Sequence, residues 1–325
     1  MKAILCEKHG PPSDLVLKDM PSPKPKDDQV IVTVKACSVN FPDTLIIQGK
    51  YQFKPDLPFS PGSDISGIVK EVGEKVKNVK VGDEVFGFVR YGGFAEEVAV
   101  HKSQVFPKLP NMSFPMSASF MLAYGTSYHA LKDRAQLKEG ETLVVLGASG
   151  GVGLAAVELA KNMGARVIAA ASTDDKLNLC KEYGADAIIN YSKEDLKNRI
   201  KELTDGKGAD VIYDPIGDKY TEPALRATAW KGRYLIVGFA AGEIPKIPMN
   251  LPLLKGCQIV GVFWGSFSLK NPSASLQNSM ELMQMFSQKK INPYIQKLYP
   301  LEDAPKALED MMNRKVKGKV IVTMA

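Results

Sequence analysis

The stretch ETLVVLGASGGVGLAAVELAKNMGA, residues 141–165, constrains the fold more than any other part of the chain. Four consecutive apolar residues, Leu143 to Leu146, stand between polar residues and a glycine-rich turn, the pattern of a strand buried on both faces. After the turn, Val152, Ala155, Ala156, Leu159 and Met163 fall on one face of a helix that Gly164 stops. A doubly buried strand that feeds a helix this way needs parallel neighbours and helices above and below it. The middle of the chain supplies them. RVIAAAS, AIINY, DVIYDPIG, RYLIVGFA and QIVGVFWG read as further strands, with helical stretches such as DDKLNLCKEYGA between them. Strands alternating with helices at this spacing predict an α/β class with a doubly wound parallel sheet.

The turn itself matches two motifs of opposite chemistry. Gly147-Ala148-Ser149-Gly150-Gly151 fits G-x-S-x-G, which presents a nucleophilic serine in some hydrolases. That elbow needs a histidine later in the chain, yet His9, His101 and His129 all precede Ser149. The segment from Ala148 to Gly153 fits G-x-G-x-x-G with alanine for the first glycine. It follows a strand and opens a helix, the context of a dinucleotide site. Ala148, Ser149, Gly150, Gly151, Val152 and Gly153 are therefore expected to bind the cofactor. Gly150 admits the pyrophosphate, Gly153 lets helix and strand approach, and the helix N-terminus offers unpaired N–H groups.

The second strand selects the cofactor. NAD binders end it with an acidic residue that accepts from the ribose 2′-OH. Here it ends in Ala171-Ser172-Thr173, with Asp174 and Asp175 beginning the next helix. The absent carboxylate removes repulsion against a 2′-phosphate, Lys176 supplies a positive charge, and Ser172 and Tyr191 supply donors. NADPH is the expected cofactor.

Composition narrows the remaining classes. Of 325 residues, 45% are hydrophobic and 24% charged, enough for two domains with a sizeable core. The net charge of +6 is interleaved, as in KEDLKNRIKE, rather than gathered on one segment, which argues against nucleic acid as a partner. Cys6, Cys37, Cys180 and Cys257 form no C-x-x-C pair, so buried thiols in a reducing, cytoplasmic setting are expected. No run has the length of a membrane span, and the N-terminus lacks a signal-peptide pattern.

The first third is β-rich. QVIVTVKACSV alternates apolar and polar residues, and SGIVKEVG, KVGDEVFGF and GGFAEEVAV are short runs between turns, as in a small irregular barrel. The last run, KVIVTM, has no helix after it and is expected to return to this first region.

VNFPDTLIIQGKY, PFSPGSDISGIV, VGDEVFGF, LAYGTSYHAL, LGASGGVG and VIYDPIG occur in that order. With them the chain resembles the zinc-free, zeta-crystallin-like quinone oxidoreductase branch of the medium-chain dehydrogenase/reductase superfamily, over nearly its whole length. The resemblance implies a GroES-like β-rich catalytic domain in residues 1–122 and 265–325, with an inserted Rossmann domain in 123–264. It implies that Asn40, Asp43 and Tyr51 serve the acceptor, with Asn40 donating to the acceptor oxygen. It places Thr126, Gly238, Phe239, Phe263 and Trp264 at the nicotinamide end of the cofactor.

Zinc-dependent relatives carry ligands where this chain has Asn40, Ser63 and Leu122, a set that does not make a zinc site. The implied function is metal-free, NADPH-dependent hydride transfer to a quinone. The alternatives are reduction of activated alkenes (enones, acrylates or enoyl thioesters) and NADPH binding without turnover. A homodimer through an edge strand of the cofactor domain, with QIVGVFWG as the candidate, is also implied. Leu45 stands where some relatives have tyrosine, which bears on the substrate. Read from the residues alone, Asn40 also fits a turn before Pro42, Asp43 a helix N-cap, and Tyr51 and Trp264 half-buried or core packing.

Overall fold

The runs read as strands in the middle of the chain form a six-stranded parallel sheet. Its spatial order is Ala187–Asn190, Arg166–Ala171, Thr142–Leu146, Ala209–Asp214, Thr228–Ile236 and Gln258–Gly261. From Thr142–Leu146 the next two strands in sequence run outward one way and the later three run the other way, as in a Rossmann sheet. Leu143, Val144, Val145 and Leu146 are fully buried, which is why that strand is apolar throughout.

The structure, a computed structural model, describes residues 1–324. The sheet lies in the unit Ala123–Asn292; the other unit joins Met1–Leu122 to the segment that starts at Pro293. The boundary expected at 264/265 thus falls inside the sheet-bearing unit, because the helix Pro272–Ser287 is bonded to it. Tyr128 Oη donates to Glu281 Oε2 at 2.6 Å, Lys132 Nζ to Asn278 Oδ1 at 3.0 Å, and Asn278 Nδ2 to Asp133 Oδ2 at 2.8 Å. His129 belongs to the same group: it pairs with Asp133 at 2.7 Å and stacks on Phe267.

In the first unit a seven-stranded sheet runs Ile295–Pro300, Lys319–Thr323, Gln29–Ser38, Asp64–Val72, Glu84–Phe88 and Val105–Pro107, with Glu97–His101 on the free part of Gln29–Ser38. The last strand returns as expected: Ile321, Val322 and Thr323 pair antiparallel with Ser38, Cys37 and Ala36. Val32, Val34, Ile65, Val85, Phe94, Val100, Val320 and Val322 fill the core. The return strand therefore brings residues near 319 beside residues near 38.

Candidate active site

The glycine turn sits at the carboxyl end of Thr142–Leu146, where the strand order reverses, the place at which open α/β sheets bind ligands. Gly147 has φ +56°, a left-handed conformation that suits glycine, and a Cβ there would meet Ile216 Cγ2 at 2.6 Å. Gly153 is needed for another reason: a Cβ would lie 2.4 Å from Gly147 O and 2.8 Å from Ala148 Cα. At Gly150 a Cβ would meet only Gly147 O, at 3.4 Å. Gly150 is the N-cap of the helix Gly151–Asn162, whose first N–H groups have no intrahelical partner. Ala148 and Ser149 are buried, while Gly150, Gly151 and Val152 are half-buried. The peptide after Val152 is held from below, where Ser127 Oγ donates to Val152 O at 2.7 Å and bonds Tyr213 Oη at 2.8 Å.

Gly238 and Phe239 follow the carboxyl end of Thr228–Ile236, and Phe263 and Trp264 follow that of Gln258–Gly261. Asp214 accepts from Ile216 N and Gly217 N at 2.9 and 2.8 Å and from Thr221 Oγ1 at 2.9 Å, which shapes the turn facing Gly147. Gly238 N bonds Asp214 O at 3.3 Å, and Phe239 lies so close to Gly217 that a Cβ there would be 2.7 Å from its ring. Thr126 is half-buried on the helix Met121–Tyr128. Its neighbour Gly125 is covered by the Trp264 indole, within 3.0 Å of where a Cβ would stand. Trp264 is 6% exposed, whereas Phe263 is exposed.

At the end of the second strand, Ser172 and Lys176 are half-buried and Thr173 caps the following helix, its Oγ1 accepting from Lys176 N at 3.3 Å. Tyr191 N bonds Ala171 O at 3.2 Å, which puts Tyr191 beside Ser172; its ring meets that of Tyr220 at 4.5 Å. The carboxylate of Asp174 is taken: Lys193 Nζ and Asn190 Nδ2 each donate to it at 2.6 Å. These bonds hold its carboxyl below the usual aspartate range.

Asn40, Asp43 and Tyr51 lie in the first unit. Asn40, not Asp43, is the N-cap of the helix Phe41–Ile46; Asp43 is its third residue and reaches back, Oδ2 accepting from Asn40 N at 2.7 Å. Asp43 Oδ1 accepts from Gly62 N at 3.3 Å. Asn40 Nδ2 donates to Ser38 Oγ at 3.1 Å, and its Oδ1 accepts from Lys319 Nζ. Asp64 accepts from Leu122 N at 3.1 and 3.3 Å and from Ser38 Oγ at 3.4 Å. Sequence reasoning passed over Ser38, Asp64 and Lys319. For Asp64 and Lys319 the signal was a charge at the head of an apolar run, since DISGIV and KVIVT each open on one; Ser38 had none. Ser63, between Gly62 and Asp64, is buried with its hydroxyl unpaired among the described residues.

Asn40, Asp43, Asp64 and Lys319 are each less than 5% exposed. Two carboxylates share one ammonium, so full ionisation would leave an uncompensated negative charge in a dry interior. Burial pushes Asp43 and Asp64 each up to about 7, against the opposing pull of Lys319 and of their hydrogen bonds. Tyr51, half-buried, is raised by burial and then by the charge of Asp43.

The sign of the linkage is set by these shifts. Between an unfolded aspartate value of about 4 and the folded value, the native state holds a proton that the unfolded state has released, so stability falls as pH rises through that window. Asp64→Asn removes one such group and keeps a carbonyl for Leu122 N. Its melting temperature relative to wild type is expected to rise by several degrees between pH 5 and pH 8 in scanning calorimetry. A difference that does not change with pH would contradict this.

The zinc-binding dehydrogenase family matches the chain over residues 151–284, and the alcohol dehydrogenase GroES-like domain matches over residues 26–111. The quinone oxidoreductase-like protein 2 homolog of Nematostella vectensis is 41% identical over 325 residues, 99% of this chain and 88% of that protein. The Escherichia coli quinone oxidoreductase, solved in complex with NADPH, superposes with a TM-score of 0.93 at 28% identity, over 99% of this chain and all of that one (100%). The CurK enoyl reductase structure superposes with a TM-score of 0.91 at 25% identity, over 100% and 99% of the two chains. A GroES-like sheet, a parallel sheet with its glycine turn at the reversal point, and similarity along the full length place this chain in the quinone oxidoreductase branch of the medium-chain dehydrogenase/reductase superfamily.

Proposed function

We propose that this oxidoreductase passes a hydride from NADPH to a quinone without a metal. The observation that carries the reading is the pair of features at the carboxyl ends of the parallel strands. One is a glycine turn open at Gly150; the other is a second-strand end with no free carboxylate, flanked by Lys176. The pyrophosphate is assigned to the main chain of Ala148–Gly153 and the 2′-phosphate to Ser172, Lys176 and Tyr191. Thr126, Gly238, Phe239 and Phe263 are assigned to the nicotinamide end, with Trp264 backing Gly125 behind it. NADPH supplies the hydride when bound; the chain holds it, orients it and excludes water.

Asn40, Asp43 and Tyr51 are assigned to the acceptor. Asn40 donates to the oxygen on which charge develops, Asp43 holds Asn40 and Gly62 in place, and Tyr51 is the least buried of the three. The family description names zinc, but the residues do not fit it. Asn40 and Ser63 are neutral oxygen donors and Leu122 offers none. Among the described residues no cluster of three His, Cys, Asp or Glu has a metal-binding arrangement. A quinone needs little such help, because its own conjugated oxygen takes up the charge.

Reduction of an activated alkene is the second reading, favoured by the full-length likeness to an enoyl reductase. Two substrates decide between them: NADPH oxidation with 1,2-naphthoquinone is expected to exceed that with an enone, and to be unchanged by a chelator. Faster enone turnover would reverse the order. NADPH binding with no acceptor turned over would leave a binding protein. A homodimer is part of the proposal, supported by the free edge at Gln258–Gly261 and the exposed Ile259, Phe263, Leu253 and Leu254 near it. Sedimentation of the same preparation is expected to give twice 35.5 kDa. No helix among the described residues is long and apolar enough to cross a membrane.

A further inference from the structure

Lys319 is 4% exposed at the start of a strand buried along residues 319–322. A lysine in such a place loses most of its solvation, which is strongly unfavourable unless the surroundings compensate it. Gly318 before it has φ +56°, and a Cβ there would meet Tyr294 O at 2.5 Å, so the chain is threaded tightly into this position. Nζ donates to Asn40 Oδ1 and, at 3.4 Å, to Val39 O. Burial lowers its pKa from the usual lysine value, while Asp64, Asp43 and the Cys37 thiol pull it back up.

The consequence for Asn40 is geometric. Turning its amide over would set an NH2 group against an ammonium, so the orientation is dictated: oxygen to Lys319, nitrogen to Ser38. One N–H of Nδ2 is used well, by Ser38 Oγ at 3.1 Å; the other has only Ser38 O at 3.4 Å, a long contact. That second N–H is the one left to exchange for a stronger acceptor.

We infer that Lys319 is a positioning residue of the acceptor site: its ammonium fixes which edge of the Asn40 amide donates and polarises that amide, so the N–H that now makes only the long contact to Ser38 O bonds an acceptor oxygen more strongly as charge develops on it. The inference rests on the assignment of Asn40 to the acceptor. Its physical basis is that hydrogen bonds in series strengthen one another, by roughly 10–30% per bond, and that a charged first donor amplifies this. The positive charge at this site comes from the chain's own side chain.

Lys319→Met alone strands two buried carboxylates and can fail to fold, so the test pairs it with Asp64→Asn, which removes one negative charge with the positive one. Relative to Asp64→Asn, the Asp64→Asn/Lys319→Met variant is expected to lose about tenfold or more in kcat/KM for the acceptor, with the NADPH Kd within about twofold. In an Asn40→Ala background the same lysine change is expected to cost less than about twofold, because a residue acting through Asn40 has nothing left to act on. A crystal structure of the double variant is expected to have the Asn40 amide rotated or spread over two orientations. Equal losses with and without Asn40, an unchanged kcat/KM, or an amide that keeps its orientation would each overturn the inference. If the wild-type protein reduces neither quinone nor enone, the functional reading fails instead, and the amide orientation alone decides the role of Lys319.

Discussion

Replacing Gly150 by valine is expected to weaken NADPH and NADPH-analogue binding by about 100-fold or more, about 2.7 kcal/mol, while the protein stays folded. The two halves of this expectation come from opposite sides of one residue. Toward the protein there is room, since a Cβ at Gly150 makes only a 3.4 Å contact with Gly147 O. The backbone is at φ −78°, ψ 170°, which valine adopts easily, and a poorer N-cap costs no more than about 1 kcal/mol. Toward the ligand, the two γ-methyl groups occupy the space through which a pyrophosphate approaches the N–H groups of Gly151 and Val152. Gly153 is the control. A Cβ there runs into Gly147 O and Ala148 Cα, so Gly153→Val is expected to lower the melting temperature sharply as well. Calorimetric titration with NADPH and a thermal melt on both variants separate binding loss from fold loss. A Gly150→Val protein that binds NADPH as wild type does would remove the turn from the cofactor site, and the functional reading with it.

Lys176→Ala is expected to weaken NADPH about tenfold, about 1.4 kcal/mol, and to leave NADH within about twofold. The cofactors differ by the 2′-phosphate, so only a group that meets that phosphate discriminates between them. Lys176 stands in the first turn of the helix that Thr173 caps, where its charge adds to the positive end of the helix dipole. The competing negative charge of Asp174 is engaged by Lys193 and Asn190. Because Lys176 is half-buried, salt screens part of its effect, and the preference for NADPH is expected to shrink as ionic strength rises. Fluorescence titrations with both cofactors measure this directly. Equal losses for the two would exclude Lys176 from phosphate recognition.

How much of this was legible beforehand depends on the range of the interaction concerned. The apolar run Leu143–Leu146, the helical face after it and the glycines of the turn are local signals, and the strand, helix and turn formed where these pointed. The missing carboxylate after Ala171 was equally local. Trp264 was not legible, because core and cofactor contact make the same demand for a large amphipathic ring; only the fold set that ring against Gly125, far off in sequence. For Asp43 the residue type suggested a cap. The structure made Asn40 the cap and gave Asp43 the reciprocal bond three residues on.

The sequence by itself determined the alternation of strands and helices and the glycine turn between strand and helix, because periodicity and glycine geometry are carried by neighbouring residues. Only the tertiary structure decided that Ser38, Asn40, Asp43, Asp64, Leu122 and Lys319 form one bonded group. Charge compensation in a dry interior depends on which distant segments a fold brings within hydrogen-bonding reach. The return of the strand Lys319–Thr323 to the edge of Gln29–Ser38 is what sets the ammonium beside Asn40.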